Sequence, residues 1–264
     1  MDVNEQLEEL MSQTNLKERL RLGDPVIGSI VSANAPDVAE LMSLVGFDYL
    51  WIEAEHAPIG FGDVQVLIQA IAGRCPAIVR VPANADVWFK KALDTGCDGL
   101  VVPQVNTADE ARRAVASAYY PPLGSRSVGI TRAQGYGTTF ANYVDTINDR
   151  LLLVLQIEHV LGVHNVDEIV RVPGIGAILI GPFDLSGSLG LLGQTTHPEV
   201  EAHIETVRAA CQRAGVPLGI FAIDAPTAVR YIAQGFRLIC LAADTTFMFR
   251  AASEALRTVK GGES

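Results

Sequence analysis

A single-domain (β/α)8 barrel of the TIM type is the fold class this sequence predicts, and three observations carry the prediction. Eight short runs rich in Val, Ile and Leu alternate with longer segments of helical period, the pattern of βα units around a parallel sheet. The 264 residues suit eight such units in one domain. No run is followed by G-x-G-x-x-G and no G-x-x-x-x-G-K-[ST] occurs, which counts against an open doubly wound sheet.

The strand candidates are VIGSIVS (26–32), DYLWIEAE (48–55), AIVRVP (77–82), GLVVPQV (99–105), LLLVLQIE (151–158), AILIGPFD (177–184), PLGIFA (217–222) and RLICLAA (237–243). Helical segments are expected at 36–45, 62–72, 85–95, 107–118, 163–172, 197–214 and 225–234. Gly46, Gly73, Gly96, Gly215 and Gly235 follow five of them, where a helix ends before the next strand.

Two segments fall outside the repeat. Residues 1–22 carry amphipathic stretches, Leu7/Leu10/Met11 and Leu16/Leu20, suited to capping the barrel bottom or packing on a neighbouring subunit. The link from Tyr119 to Arg150 is too long for a plain connection, and long insertions in compact domains are usually functional or interfacial. The tail, 259–264, ends in GGES and reads as disordered.

Composition narrows the function. A net charge of −10 disfavours nucleic acid and anionic membrane as partners but leaves small substrates open. No apolar stretch approaches the ~20 residues that span a bilayer, and the acidic start MDVNEQLEELMSQ is unlike a signal peptide, so a soluble cytoplasmic protein is expected. Cys75, Cys97, Cys211 and Cys240 are scattered without C-x-x-C spacing and read as reduced core thiols.

Barrel enzymes assemble their sites at the C-terminal ends of the strands. Four strand candidates carry their charged residues at that end. In WIEAEHAP, Glu53 and Glu55 share a face by the period of two, with His56 just after; Arg80 ends the third strand; Gln156 and Glu158 share a face in the fifth; Asp184 closes GPFD in the sixth. Apart from Asp48, which opens its run, the lower halves of these strands hold no charge, and a charge inside a barrel is costly unless it is paired or metal-bound.

Glu158 and Asp184, on neighbouring strands, are a donor set suited to Mg2+ or Mn2+, whereas zinc would recruit more nitrogen or sulfur. A carboxylate pair sharing a proton is the alternative. The glycines of IGPFDLSGSLGLLG allow backbone N–H groups to turn toward a substrate carboxylate, although glycines at strand ends are also ordinary turn formers. Arg80 offers a planar fork to oxygen anions, or pairs structurally with Glu53 or Glu55. His56 has the intrinsic chemistry of a general base, while His159, His164, His197 and His203 fall around helices.

With EHAP at 55–58, VRVP around Arg80, YPPLGSR at 120–126, QIE at 156–158 and GPFDLS at 181–186, residues from about Leu16 to Ala255 resemble the metal-dependent class II pyruvate aldolases of the HpcH/HpaI family. The resemblance implies a barrel of the phosphoenolpyruvate/pyruvate type and reversible cleavage of a 4-hydroxy-2-oxoacid into pyruvate, or a related 2-oxoacid, and an aldehyde. It implies a divalent ion (Mg2+, Mn2+ or Co2+) on Glu158 and Asp184, with substrate held by Arg80, Gln156 and the backbone from Gly181 through Pro182 and Phe183 to Asp184. His56 is then the base, Glu53 its neighbour in the catalytic motif, and Glu55 a supporting residue. It further implies a homohexamer, a trimer of dimers with the last helix exchanged between subunits, and a reach by Asp94 into a neighbouring site. Two positions depart from the family pattern: Glu53 stands where the motif Asp-x-Glu-His has aspartate, and Ser127 replaces a glycine in a loop expected near the acceptor aldehyde.

Rival readings are an oxaloacetate decarboxylase or a CoA-ester lyase on the same barrel, and a barrel that only binds an oxoacid. No basic cluster suited to nucleotide phosphates supports the CoA reading.

Overall fold

The computed structural model describes residues 15–261. Eight parallel strands close into one barrel in sequence order, with β8 hydrogen-bonded to β1. They are β1 (Val26–Val31), β2 (Tyr49–Glu53), β3 (Ala77–Arg80), β4 (Gly99–Val102), β5 (Leu152–Ile157), β6 (Ala177–Ile180), β7 (Leu218–Ala222) and β8 (Leu238–Ala243). The helices are α1 (Leu16–Leu22), α2 (Pro36–Leu44), α3 (Phe61–Ile71), α4 (Asp86–Asp94), α5 (Ala108–Ala118), α6 (Phe140–Arg150), α7 (Val160–His164), α8 (Val166–Ile169), α9 (Pro182–Ser188), α10 (Pro198–Ala214), α11 (Ala225–Ala233) and α12 (Asp244–Val259).

Because both faces of each strand are covered, the strands read as continuous apolar runs, and alternate residues part into two cores. One core lies between strands and helices and includes Leu50, Ile52, Val79, Leu100, Leu153 and Ile178. The other fills the barrel with Tyr49, Trp51, Ile78, Val101, Leu152, Val154, Leu179 and Cys240. Leu16 and Leu20 of α1 join this interior core, so α1 plugs the barrel bottom. Leu7, Leu10 and Met11 lie outside the described residues.

Gly46, Gly73, Gly96, Gly215 and Gly235 all take positive φ, as helix ends of this kind require. All four cysteines are buried and free. Burial pushes the Cys75 thiol up to about 11 and the Cys97 and Cys211 thiols to about 12, leaving them as inert apolar groups. Among the described residues, no helix is long and apolar enough to cross a membrane.

Several boundaries move. The 163–172 segment is two short helices, α7 and α8. The insertion contains α6 and one turn of 3-10 helix (Arg132–Gly137). It folds under the N-terminal end of the barrel, where Arg126 meets Asp94 at 3.2 Å and Arg132 donates to the Thr95 carbonyl at 2.7 Å. Within this chain, the loop around Ser127 is therefore at the opposite end from the charged rim. At the other terminus Val259 is still helical, and residues 262–264 lie outside the described residues.

Candidate active site

The predicted charged residues meet at the C-terminal rim. Glu53 and Arg80 end adjacent strands in direct register, and Gln156 lies on β5 with Glu158 one residue beyond it. Two placements differ from expectation. β2 stops at Glu53, so Glu55 belongs to the loop rather than to the strand face. β6 stops at Ile180, and Pro182 at the first helical position opens α9, so Asp184 sits on a helical turn.

Glu53 is nearly fully buried at 3% exposure and is the hub of the site. Its Oε1 accepts from the backbone amides of Glu55 at 2.8 Å and His56 at 3.0 Å, which is what turns the chain out of β2. Its Oε2 accepts from Arg80 Nε at 2.7 Å and Trp51 Nε1 at 3.2 Å, and Arg80 Nη2 lies at 2.6 Å. The Arg80 guanidinium also rests 5.2 Å from the centre of the Trp51 ring. The structural reading of Arg80 holds. It is paired with Glu53 and faces Glu55 at 3.2 Å, yet a guanidinium has five N–H donors, and one remains open on each terminal nitrogen after Glu53 and the 3.5 Å contact to Gln156 Oε1. Trp51 went unpredicted as a site residue, because in the sequence it is one more apolar strand position.

Glu158 is also buried at 3%. Oε1 accepts from the Gln104 amide at 2.9 Å, and Oε2 accepts a short hydrogen bond from Gln156 Nε2. Burial pushes its carboxyl up to about 7; the Gln104 amide opposes this, and the charges of Asp184 and Glu55 add to it. Gln104 adopts φ +55, strained for a residue with a side chain, and this left-handed turn aims its amide at Glu158. No sequence feature marks it. Gly181 completes the arrangement: a Cβ there would stand 2.8 Å from Glu158 Oε2 and 2.9 Å from Gln156 Nε2.

The expected amide cradle is narrower than the sequence suggests. The Gly181 amide is committed to the Ile157 carbonyl at 3.3 Å and Pro182 has none, so the donors are the first-turn amides of Phe183 and Asp184. Phe183 is 40% exposed at the mouth and meets Phe221 edge-on, ring centres 6.2 Å apart.

His56 is exposed, with Nε2 3.6 Å from Glu55 Oε2. That Glu55 oxygen is buried and ion-paired with Arg80 Nε at 3.2 Å, with no aligned hydrogen bond. Burial raises the Glu55 carboxyl above its ordinary range, against the pull of Arg80 and His56. The other histidines are structural: His159 and His197 cap the starts of α7 and α10, and His164 and His203 stack loosely, 6.4 Å apart. Asp94 has Arg126 as its partner, at the far end of the barrel.

The rim residues fit a hard divalent cation. Among the described residues no three His, Cys, Asp or Glu side chains gather as a metal cluster. The candidate donors are two carboxylates, Glu158 and Asp184, close enough that the charge of Asp184 raises the Glu158 carboxyl. Mg2+ and Mn2+ take oxygen ligands and accept sites with few protein carboxylates, water or substrate oxygens filling the remaining positions.

Comparison with known proteins fits this geometry. The family model described as HpcH/HpaI aldolase/citrate lyase matches residues 27–251. The chain belongs to the HpcH/HpaI family. As a member it is an aldolase-type lyase, and metal dependence is typical of the family. A hydroxypyruvate/pyruvate aldolase of Paraburkholderia phytofirmans is 39% identical over 93% of this chain and 97% of its own. A 2-keto-3-deoxy-L-rhamnonate aldolase of Escherichia coli is 36% identical over 94% of both. Among solved structures, an HpcH/HpaI aldolase/citrate lyase family protein from Burkholderia cenocepacia superposes with a TM-score of 0.90 at 38% identity, over 94% of this chain and 99% of that one.

Proposed function

We propose that this HpcH/HpaI member reversibly cleaves a 4-hydroxy-2-oxoacid into pyruvate, or a related 2-oxoacid, and an aldehyde. The observation that carries the reading is the rim itself: buried Glu158 beside Asp184, with Arg80 held rigid by Glu53 and one open N–H on each terminal nitrogen. Glu158 and Asp184 would hold Mg2+, Mn2+ or Co2+, whose contribution is to polarise the 2-keto group as a Lewis acid. The amides of Phe183 and Asp184 receive the substrate carboxylate at the start of α9. Arg80 faces the oxygen that becomes negative as the carbon–carbon bond breaks; fixed by Glu53 and Trp51, it needs little reorganisation to stabilise that charge. Gln156 spans Arg80 and Glu158 and keeps both in register. His56 takes the 4-hydroxyl proton in cleavage and returns it in synthesis.

The exposed face of α12 supports an assembled state. Beyond its first turns this helix is exposed, with Phe249 at 74% and Val259 at 84%, where the eighth helix of a barrel ordinarily covers the strands. A second copy of the chain covering it, in a hexameric trimer of dimers, accounts for that exposure. Sedimentation equilibrium should give a species well above the 28.2 kDa monomer, reduced by Phe249→Asp.

The function is tested by assaying pyruvate release over a panel of 4-hydroxy-2-oxoacids with and without a chelator. Release that chelation stops and added Mn2+, Mg2+ or Co2+ restores is the expected result. Chelator-resistant turnover would remove the ion from the account, and silence across the panel would remove the aldolase reading.

A further inference from the structure

We infer that Trp51 is a positioning residue for the reaction: it holds Arg80 in the placement that meets the negative charge developing on the substrate. The inference rests on the aldolase reading above and adds to it a residue that touches no substrate.

By position Trp51 is a core residue. The period of two turns Tyr49, Trp51 and Glu53 of β2 into the barrel. Register puts Trp51 beside Ile78 and Glu53 beside Arg80 on β3, so an apolar rung lies directly beneath a charged one. Trp51 is 2% exposed and belongs to the interior core with Ile78, Val101 and Val154.

Two contacts set it apart from those neighbours. A buried indole N–H has to find an acceptor, and the one it finds, at 3.2 Å, is Glu53 Oε2, the oxygen that also accepts from Arg80 Nε at 2.7 Å. The ring then stands 5.2 Å from the guanidinium Cζ, at cation–π distance. One side chain therefore fixes both the carboxylate that grips Arg80 and the guanidinium itself. Glu53 Oε1 is spent on the amides of Glu55 and His56, so Oε2 is left to Arg80 and the indole, and of these two the indole is the one that ties it to the barrel core.

Tyr49, one rung lower, shows what a purely structural aromatic residue does on the same strand. Its hydroxyl donates to the Ile239 carbonyl on β8 at 2.9 Å, and its ring fills the space above Gly28, where a Cβ would stand 2.5 Å away. Tyr49 spends its donor on the fold and Trp51 spends its donor on the site. The charge that Arg80 meets appears only as the carbon–carbon bond breaks, and a guanidinium already in place needs no reorganisation at that moment. Loss of Trp51 should therefore show in kcat more than in KM.

The test reads Arg80 directly. In the 1H–15N spectrum of the full chain the Arg80 Nε–H signal is identified by its loss in Arg80→Lys, and the exchange of that proton with water is measured. Trp51→Leu removes both contacts and should speed the exchange at least about tenfold; Trp51→Phe keeps an aromatic face and should speed it at least about threefold; Tyr49→Phe should leave it unchanged. If Trp51→Leu does not fold, Trp51→Phe carries the measurement. In the pyruvate-release assay, Trp51→Phe should lower kcat about tenfold with KM changed less than about threefold, whereas Tyr49→Phe keeps the wild-type kcat. Added to Arg80→Lys, Trp51→Phe should cost less than about twofold further, because it acts through the group already lost. Unchanged exchange in the Trp51 variants, or full additivity with Arg80→Lys, overturns the inference. A wild type that releases no pyruvate would defeat the aldolase reading alone, since the exchange measurement needs no turnover and still decides whether Trp51 holds Arg80.

Discussion

The two ends of this barrel are built from the same residue types and use them in opposite ways. At the N-terminal end, Asp48 gives one oxygen to the Ile27 amide and the other to Arg19, each at 2.7 Å, and Asp98 accepts from the Ala77 amide at 2.9 Å. Arg126 meets Asp94, and Leu16 and Leu20 seal the interior. At the C-terminal end, Glu158 is buried with its carboxyl pushed up to about 7, Glu55 is raised by burial beside Arg80, and Gln104 is held in a strained turn. Both Glu158 oxygens accept hydrogen bonds, so the two ends differ in burial and raised proton affinity, which mark candidate functional sites.

Removing Glu158 is the sharpest way to break that contrast. Glu158→Ala should lower kcat/KM for pyruvate release by about 1,000-fold or more, while thermal unfolding at pH 8 shows no loss of stability. A comparable cut at the other end should do the reverse. Leu20 is 2% exposed in the interior core, and Leu20→Ala should cost about 2–4 kcal/mol in denaturant unfolding with kcat unchanged in the folded fraction.

The pH dependence of stability gives a smaller and signed effect. Burial lifts Glu158 from 4.5 to about 7, so in that window the folded, metal-free protein keeps a proton that the unfolded chain has released. Stability from this group is therefore greatest at the acid end and falls as pH rises to about 7. Glu158→Gln should match the wild type near pH 4.5 and exceed it by about 1–3 kcal/mol above pH 7, as read from unfolding midpoints in the presence of chelator. Smallest of the four, Asp48→Ala should cost about 1–2 kcal/mol in the same unfolding measurement and leave pyruvate release unaffected, because its two partners lie at the sealed end.

The sequence made the barrel legible through its periods. Residues alternate by two along each strand, so Glu53, Arg80 and Gln156 could be placed on the inner face, and βα order placed them at one rim. Legibility failed where a side chain redirects the backbone. Glu53 ends β2 by accepting two amides, which moved Glu55 off the strand face, and Pro182 starts a helix where Asp184 was read on a strand. Gln104 acts through a backbone amide in an unusual conformation, and an amide carries no residue-specific mark. The insertion occupies a helix-to-strand link, which chain order places at the N-terminal end, so within one chain its loop lies away from the rim.

The most direct test of the aldolase account is metal re-addition to the chelated protein, measured as the rate of pyruvate release from a 4-hydroxy-2-oxoacid against Mn2+ concentration. The wild type should recover along a saturable curve and Glu158→Ala should stay flat. Equal recovery in both proteins, or full activity before any Mn2+ is added, would contradict the account.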